Sequence, residues 1–252
     1  MSSIPVALQL YTVRDQTATD FAGTVRKVAK MGYAGVEFAG TGDLTAAQMS
    51  DLLQETGLKP AGNHVALATM ESDLDAVIAY NKAIGNQYVG VPVLPTEMRN
   101  ADGIRQLAAT LNRLGARLKT AGLVLYYHHH AFEFDTYEGK RGWDTLISDT
   151  DPDLVKLETD VYWAAYAGVD PASVIKQSAG RFPLIHLKDM VGEGDERTFA
   201  EVGEGVLDFG PIFEASEAQG AVWYIVEQDR CARPSLESAQ MSVDNLKRWG
   251  KA

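Results

Sequence analysis

Residues 104–130 read IRQLAATLNRLGARLKTAGLVLYYHHH. In the first part, Ile104, Leu107, Ala108, Leu111, Leu114 and Leu118 recur at intervals of three and four. That spacing predicts a helix with one apolar stripe. Gly122 follows, where a glycine tolerates the left-handed backbone that closes a helix. The run Leu123–His128 is then short, apolar and aromatic, as expected for a strand covered on both faces. It ends in three consecutive histidines.

The same unit recurs along the chain. Comparable runs lie at Val6–Leu10, Gly35–Phe38, Lys59–His64, Tyr88–Val91, Val155–Asp160, Leu184–Leu187 and Trp223–Glu227. Helical periodicity fills Asp20–Met31, Ala46–Glu55, Glu71–Ile84, Pro171–Ala179, Pro211–Ala218 and Leu236–Trp249, with a short helix around Trp143–Ser148. Gly32, Gly57, Gly85, Gly180 and Gly220 repeat the stop seen at Gly122, and Asp170-Pro171 reads as an N-cap with proline in the first turn. Val191–Asp208 is the longest expected loop. Eight strand–helix units in 252 residues predict an α/β fold, a single (β/α)8 TIM barrel forming one domain over 1–252. A doubly wound open sheet typically uses fewer strands, and neither GxGxxG nor GxxxxGK[ST] occurs.

Thirty-four acidic against 23 basic side chains give a formal charge of -11. Phosphate neutralisation needs the opposite balance, so a nucleic-acid partner is not expected. The lone Cys231 excludes an intrachain disulfide, and residues 1–15 lack the pattern of a signal peptide. No apolar run is long enough for a membrane span. The expectation is a soluble cytoplasmic protein, compatible with a homo-oligomer.

In a barrel of this kind, sites form at the carboxyl ends of the strands. All five histidines, His64, His128, His129, His130 and His186, fall at such ends. Glu37, Glu158, Asp160 and Glu227 join them. Alternation turns Glu158 and Asp160 the same way, and likewise His128 with His130 and His186 with Lys188. Buried carboxylates are costly unless paired, hydrogen-bonded or metal-bound. Imidazole with carboxylate suits one divalent cation of the Mn, Co, Zn or Mg range. The plain structural alternative is an ion pair of Glu158 or Asp160 with Lys188 or Lys156. Trp163 and Tyr162 suit packing, and an aromatic at the mouth also suits a sugar face. Two opposed acids would serve a glycosidase. Cys231 has no identifiable base, and no GxSxG elbow is present.

Tyr127-His128-His129-His130-Ala131-Phe132-Glu133-Phe134, Asp160-Val161-Tyr162-Trp163, Ala167-Gly168-Val169-Asp170-Pro171 and His186-Leu187-Lys188-Asp189 resemble the sugar phosphate isomerase/epimerase group of the xylose-isomerase-like TIM-barrel superfamily. The resemblance covers essentially the whole chain. In tagatose 3-epimerase-like members, one divalent metal is held by a carboxylate, an Asp, a His and a Glu on strands five to eight. Asp160, His186 and Glu227 match the last three, and His128 stands in the first position. The triple histidine is similar to the inosose dehydratase branch.

The resemblance implies proton abstraction next to a carbonyl of a sugar or keto-sugar and a metal-stabilised enediolate, by an isomerase, epimerase or related lyase. For that chemistry Glu158 or Glu227 is expected as base, His64 or His130 as proton donor, Lys188 as charge stabiliser, and Glu37, His130 and Trp163 as substrate contacts. Endonuclease IV shares the barrel, but the acidic charge disfavours DNA. A neutral sugar is expected over a phosphate, although Lys188, Arg14 and Arg230 could form a local anion site. A non-catalytic sugar-binding or partner subunit is the alternative of a different class.

Overall fold

A computed structural model describes residues 4–252, so the start of the 1–15 segment lies outside the described residues. Eight parallel strands close into a barrel: β1 Val6–Gln9, β2 Gly35–Ala39, β3 Lys59–His64, β4 Tyr88–Val91, β5 Val124–His128, β6 Val155–Asp160, β7 Leu184–Leu187 and β8 Trp223–Val226. Each pairs with its sequence neighbour, and Val6 opposite Tyr224 joins β1 to β8. These are the runs expected from sequence, within a residue at each end.

The main helices are α1 Phe21–Met31, α2 Ala46–Thr56, α3 Leu74–Ala83, α4 Ala101–Thr120, α5 Gly142–Asp149, α6 Pro171–Lys176, α7 Phe209–Gln219 and α8 Ser235–Arg248. Local chemistry sets their limits. Thr45 and Gln48 form a reciprocal capping box at α2, and Gly57 ends that helix at φ 73°. Asp170 caps α6 through the Ala172 and Ser173 amides, with Pro171 in the first turn. The stripe of α4 is buried as expected.

Two expectations are corrected. The segment Glu71–Ile84 is not one helix, because Leu67–Ser72 and α3 are separate and break at Asp73. Val191–Asp208 is not all loop, because Asp189–Val191 pairs antiparallel with Thr198–Ala200.

Two apolar regions support the site. The larger packs the outer faces of the strands against the helices. The smaller comprises Ala7, Ala61, Tyr126, Leu184 and Ile225. Stepping two residues toward the carboxyl ends from four of these gives Gln9, His128, His186 and Glu227. Strand alternation therefore stacks a polar layer on an apolar plug.

Candidate active site

The polar layer is almost completely dry. Glu37, Glu158, Asp160, His186 and Lys188 have no accessible surface, while His128 and Glu227 keep only a few per cent. Above it opens a cavity of about 460 Å³ lined by Tyr11, Ala39, His64, Pro92, Val93, His128, His130, Glu227 and Asp229.

The His186 imidazole stands at the centre. Its Nδ1 lies 3.0 Å from Glu227 Oε2 and 3.8 Å from Asp160 Oδ2. His128 Nε2 is 3.3 Å from Asp160 Oδ2, and its Nδ1 faces the Pro92 carbonyl at 3.1 Å. One donor atom from each of His128, Asp160, His186 and Glu227 lies within 4.8 Å of the other three. Metal bonds of ~2.0–2.2 Å give ligand–ligand edges of roughly 3.0–3.5 Å, so the set fits a divalent cation in chemistry and size.

The other ring nitrogen faces a second set. His186 Nε2 is 2.7 Å from Glu37 Oε2 and 3.1 Å from Glu158 Oε2. His64 Nε2 is 3.0 Å from the same Glu158 oxygen. Sequence reading missed two members here. Gln9 Nε2 donates to Glu37 Oε2 at 2.6 Å, and the Tyr126 hydroxyl donates to Glu37 Oε1 at 2.5 Å. Parity was the available signal, since Tyr126 lies two residues before His128 and Gln9 two after the interior Ala7.

Lys188 supplies the fixed positive charge. Its Nζ lies 2.9 Å from Asp160 Oδ2, 2.8 Å from Glu227 Oε2 and 2.9 Å from Asp229 Oδ2. The ion pair weighed as a structural alternative thus exists at Asp160, while Lys156 instead reaches the Gly180 carbonyl. Burial opposes the charge on Lys188, but Asp160 and Glu227 outweigh it and hold the ammonium well above the usual lysine range. For Asp160, burial is likewise overcome by Lys188 and His128, and its carboxyl stays well below the usual range. Glu158 is held low against burial by His186 and His64. His64 is raised, because Glu37 and Glu158 outweigh its burial.

The remaining expected residues divide. His130 lines the cavity with an Nδ1 that has no hydrogen-bond partner. Burial, then His128 and Lys188, keep this ring neutral. Trp163 packs 5.3 Å from His130 between ring centroids, and its indole N–H is also unpartnered. Glu37, expected to touch substrate, lies beneath the cavity instead of lining it. The triple histidine is not a surface tract. His129 points outward, packs edge-on to Trp143, and accepts the Asp160 amide proton on Nε2.

Arg14 bonds the Tyr11 and Asp229 carbonyls and lines, with Arg230 and Cys231, a neighbouring pocket of about 560 Å³. Burial pushes the Cys231 thiol up, away from thiolate chemistry. No helix among the described residues is long and apolar enough to cross a membrane.

Comparison with known proteins bears on the family and the fold. An inosose dehydratase from Lacticaseibacillus casei is 32% identical over 145 residues, covering 51% of this chain and 48% of that protein. The chain therefore spans about half the length of that relative. A sugar phosphate isomerase/epimerase structure from Parabacteroides distasonis superposes with a TM-score of 0.83 at 23% identity, over 98% of this chain and 94% of that one. The IOLI protein, solved with a bound zinc atom, shares the fold with a TM-score of 0.76 at 15% identity, over 96% and 97% of the two chains. The family model described as xylose isomerase-like TIM barrel matches residues 25–249, and the chain belongs to that family.

Proposed function

We propose that this chain is a divalent-metal-dependent enzyme that removes a proton next to the carbonyl of a sugar, keto-sugar or keto-cyclitol. The observation that carries this reading is the convergence of His128 Nε2, Asp160 Oδ2, His186 Nδ1 and Glu227 Oε2 beside the cavity. These four would hold the ion. When bound, a cation of the Mn, Co, Mg or Zn class supplies electrophilic stabilisation of developing oxygen charge.

The chain's own groups do the rest. Tyr11, Pro92 and Val93 wall the cavity and limit water around a bound sugar. His64 stands at the wall with Glu158 behind it, its Nε2 within hydrogen-bond distance of Glu158 Oε2 at 3.0 Å. That makes the pair the base–acid unit of this reading. The Lys188 ammonium adds positive charge next to Asp160 and Glu227. His130 Nδ1, on a residue that lines the cavity, is the unpartnered polar atom for a sugar hydroxyl, and Trp163 packs behind that ring.

Epimerisation between two glutamates requires the two carboxylates to face each other across the substrate. Glu158 and Glu227 instead abut opposite nitrogens of one imidazole, and β5 presents His128. That arrangement favours one-sided proton removal followed by loss of water, a lyase outcome, over epimerisation. The similarity to inosose dehydratases supports the same choice. Arg14 is engaged by the Tyr11 and Asp229 carbonyls and lines the neighbouring pocket, which favours a neutral substrate over a phosphorylated one.

The test is incubation of the Mn2+- or Zn2+-loaded protein in D2O with a panel of keto-sugars and inososes. The expected result is deuterium at the carbon next to the carbonyl, with water lost from at least one substrate. His64→Ala should slow exchange by roughly 10²–10⁴-fold. Absence of exchange across the panel, with metal bound, would overturn the reading.

A further inference from the structure

The set beneath His186, formed by Glu37, His64, Glu158 and the His186 ring itself, has the composition of a second cation site. Its hydrogen bonding gives it a different role. Both oxygens of Glu37 are already engaged, Oε1 by the Tyr126 hydroxyl and Oε2 by Gln9 Nε2 and His186 Nε2. The Gln9 amide cannot turn over, because its Oε1 accepts the Tyr11 backbone N–H at 3.0 Å. Its Nε2 therefore faces Glu37, and its second proton faces His64 Nδ1 at 3.2 Å. Gln9 Nε2 and the Tyr126 hydroxyl both donate to Glu37, which leaves its carboxylate the acceptor facing His186 Nε2.

We propose that Glu37, fixed by Gln9 and Tyr126, is a positioning residue that keeps a proton on His186 Nε2 and turns the Nδ1 lone pair toward Asp160 and Glu227. The inference rests on the cation site proposed above. A ligating imidazole must bind through one deprotonated nitrogen, and a carboxylate on the other nitrogen sets the tautomer and the ring orientation. Here the 2.7 Å bond to Glu37 is shorter than the 3.1 Å approach of Glu158, so Glu37 is the principal acceptor.

The strands are built to admit this brace. A Cβ at Gly62 on β3 would stand 2.6 Å from Glu37 Oε1 and 2.7 Å from the Tyr126 hydroxyl. One at Gly90 on β4 would stand 2.2 Å from the Tyr126 ring. Two interior strand positions thus lack side chains where the Tyr126–Glu37 pair needs the volume.

The experiment uses the full chain, stripped of metal and titrated with Zn2+ against a chromophoric chelator. Glu37→Gln should weaken Zn2+ binding roughly 10–100-fold, the usual effect of losing such a partner. In the Zn2+-loaded wild type, 15N NMR of the imidazoles should show His186 protonated at Nε2, with a slowly exchanging proton. In Glu37→Gln that resonance should move and exchange faster, which a packing role would not produce. If Glu37→Gln does not fold, Tyr126→Phe decides: weakening of about threefold or more supports the brace, and unchanged affinity overturns it. Asp160→Asn separates the two claims. Zn2+ lost in Asp160→Asn, but bound normally by Glu37→Gln with an unmoved Nε2 proton, overturns the brace and leaves the cation site standing. Wild-type affinity in Asp160→Asn overturns the cation site itself.

Discussion

Glu133 shows how much a single buried group can govern. It lies after β5, has no accessible surface, and accepts the Tyr127 hydroxyl at 2.6 Å and the His130 amide at 2.8 Å. Burial dominates these donors and pushes its carboxyl up to about 7. A carboxyl raised on folding is a liability at high pH. The unfolded chain releases the proton near 4.5, while the folded chain keeps it until about 7. The cost is absent below the first value and complete above the second. Glu133→Gln should therefore be near neutral at the acid end and stabilising above pH 7, by on the order of 2–3 kcal/mol. Urea denaturation at both ends checks this, and equal destabilisation at both would contradict it. Sequence reading placed Glu133 only within a quoted motif. What makes it unusual is its complete burial, which the folded chain and not the local sequence supplies.

At the scale of elements, strands were legible and their decorations were not. Short Val-, Leu- and Tyr-rich runs covered on both faces identify themselves, so all eight barrel strands lie where the sequence predicts. The hairpin Asp189–Val191/Thr198–Ala200 escaped because each of its strands is only three residues long, too short for a strand pattern to register. Its anchor is one side chain. Asp189 accepts backbone N–H groups from Met190, Gly203, Gly205 and Leu207, at 2.8 to 3.1 Å. Gly205 is required there, since a Cβ would sit 2.3 Å from Asp189 Oδ1. Asp189→Ala strands four donors, and the expected loss is roughly 2–4 kcal/mol. Faster proteolytic cleavage within 192–208 should accompany it, and an unchanged melting curve and digestion pattern would refute this anchor. The break at Asp73 was missed for a related reason, because helical periodicity continues across it while the backbone does not.

For the whole molecule, the barrel's topology turns scattered residues into one site. His128, Asp160, His186 and Glu227 are separated by up to 99 positions in sequence, yet stand at the ends of β5 to β8, where parallel closure brings them together. Sequence reading placed these four at or near strand ends, and the family resemblance singled them out as a set. Sequence reading could not place Gln9 and Tyr126, whose hydrogen-bonding partners come from other strands, nor show that Glu37 lies under the cavity. Charge follows the same logic. The buried carboxylates are balanced by Lys188 and the imidazoles, and a bound cation would complete that balance. The most direct measurement is metal stoichiometry by equilibrium dialysis and elemental analysis, with circular dichroism as the check on folding. The wild type should retain one divalent ion per chain, and Asp160→Asn and His186→Ala should retain none while still melting cooperatively. Full stoichiometry in both folded variants would contradict the assignment.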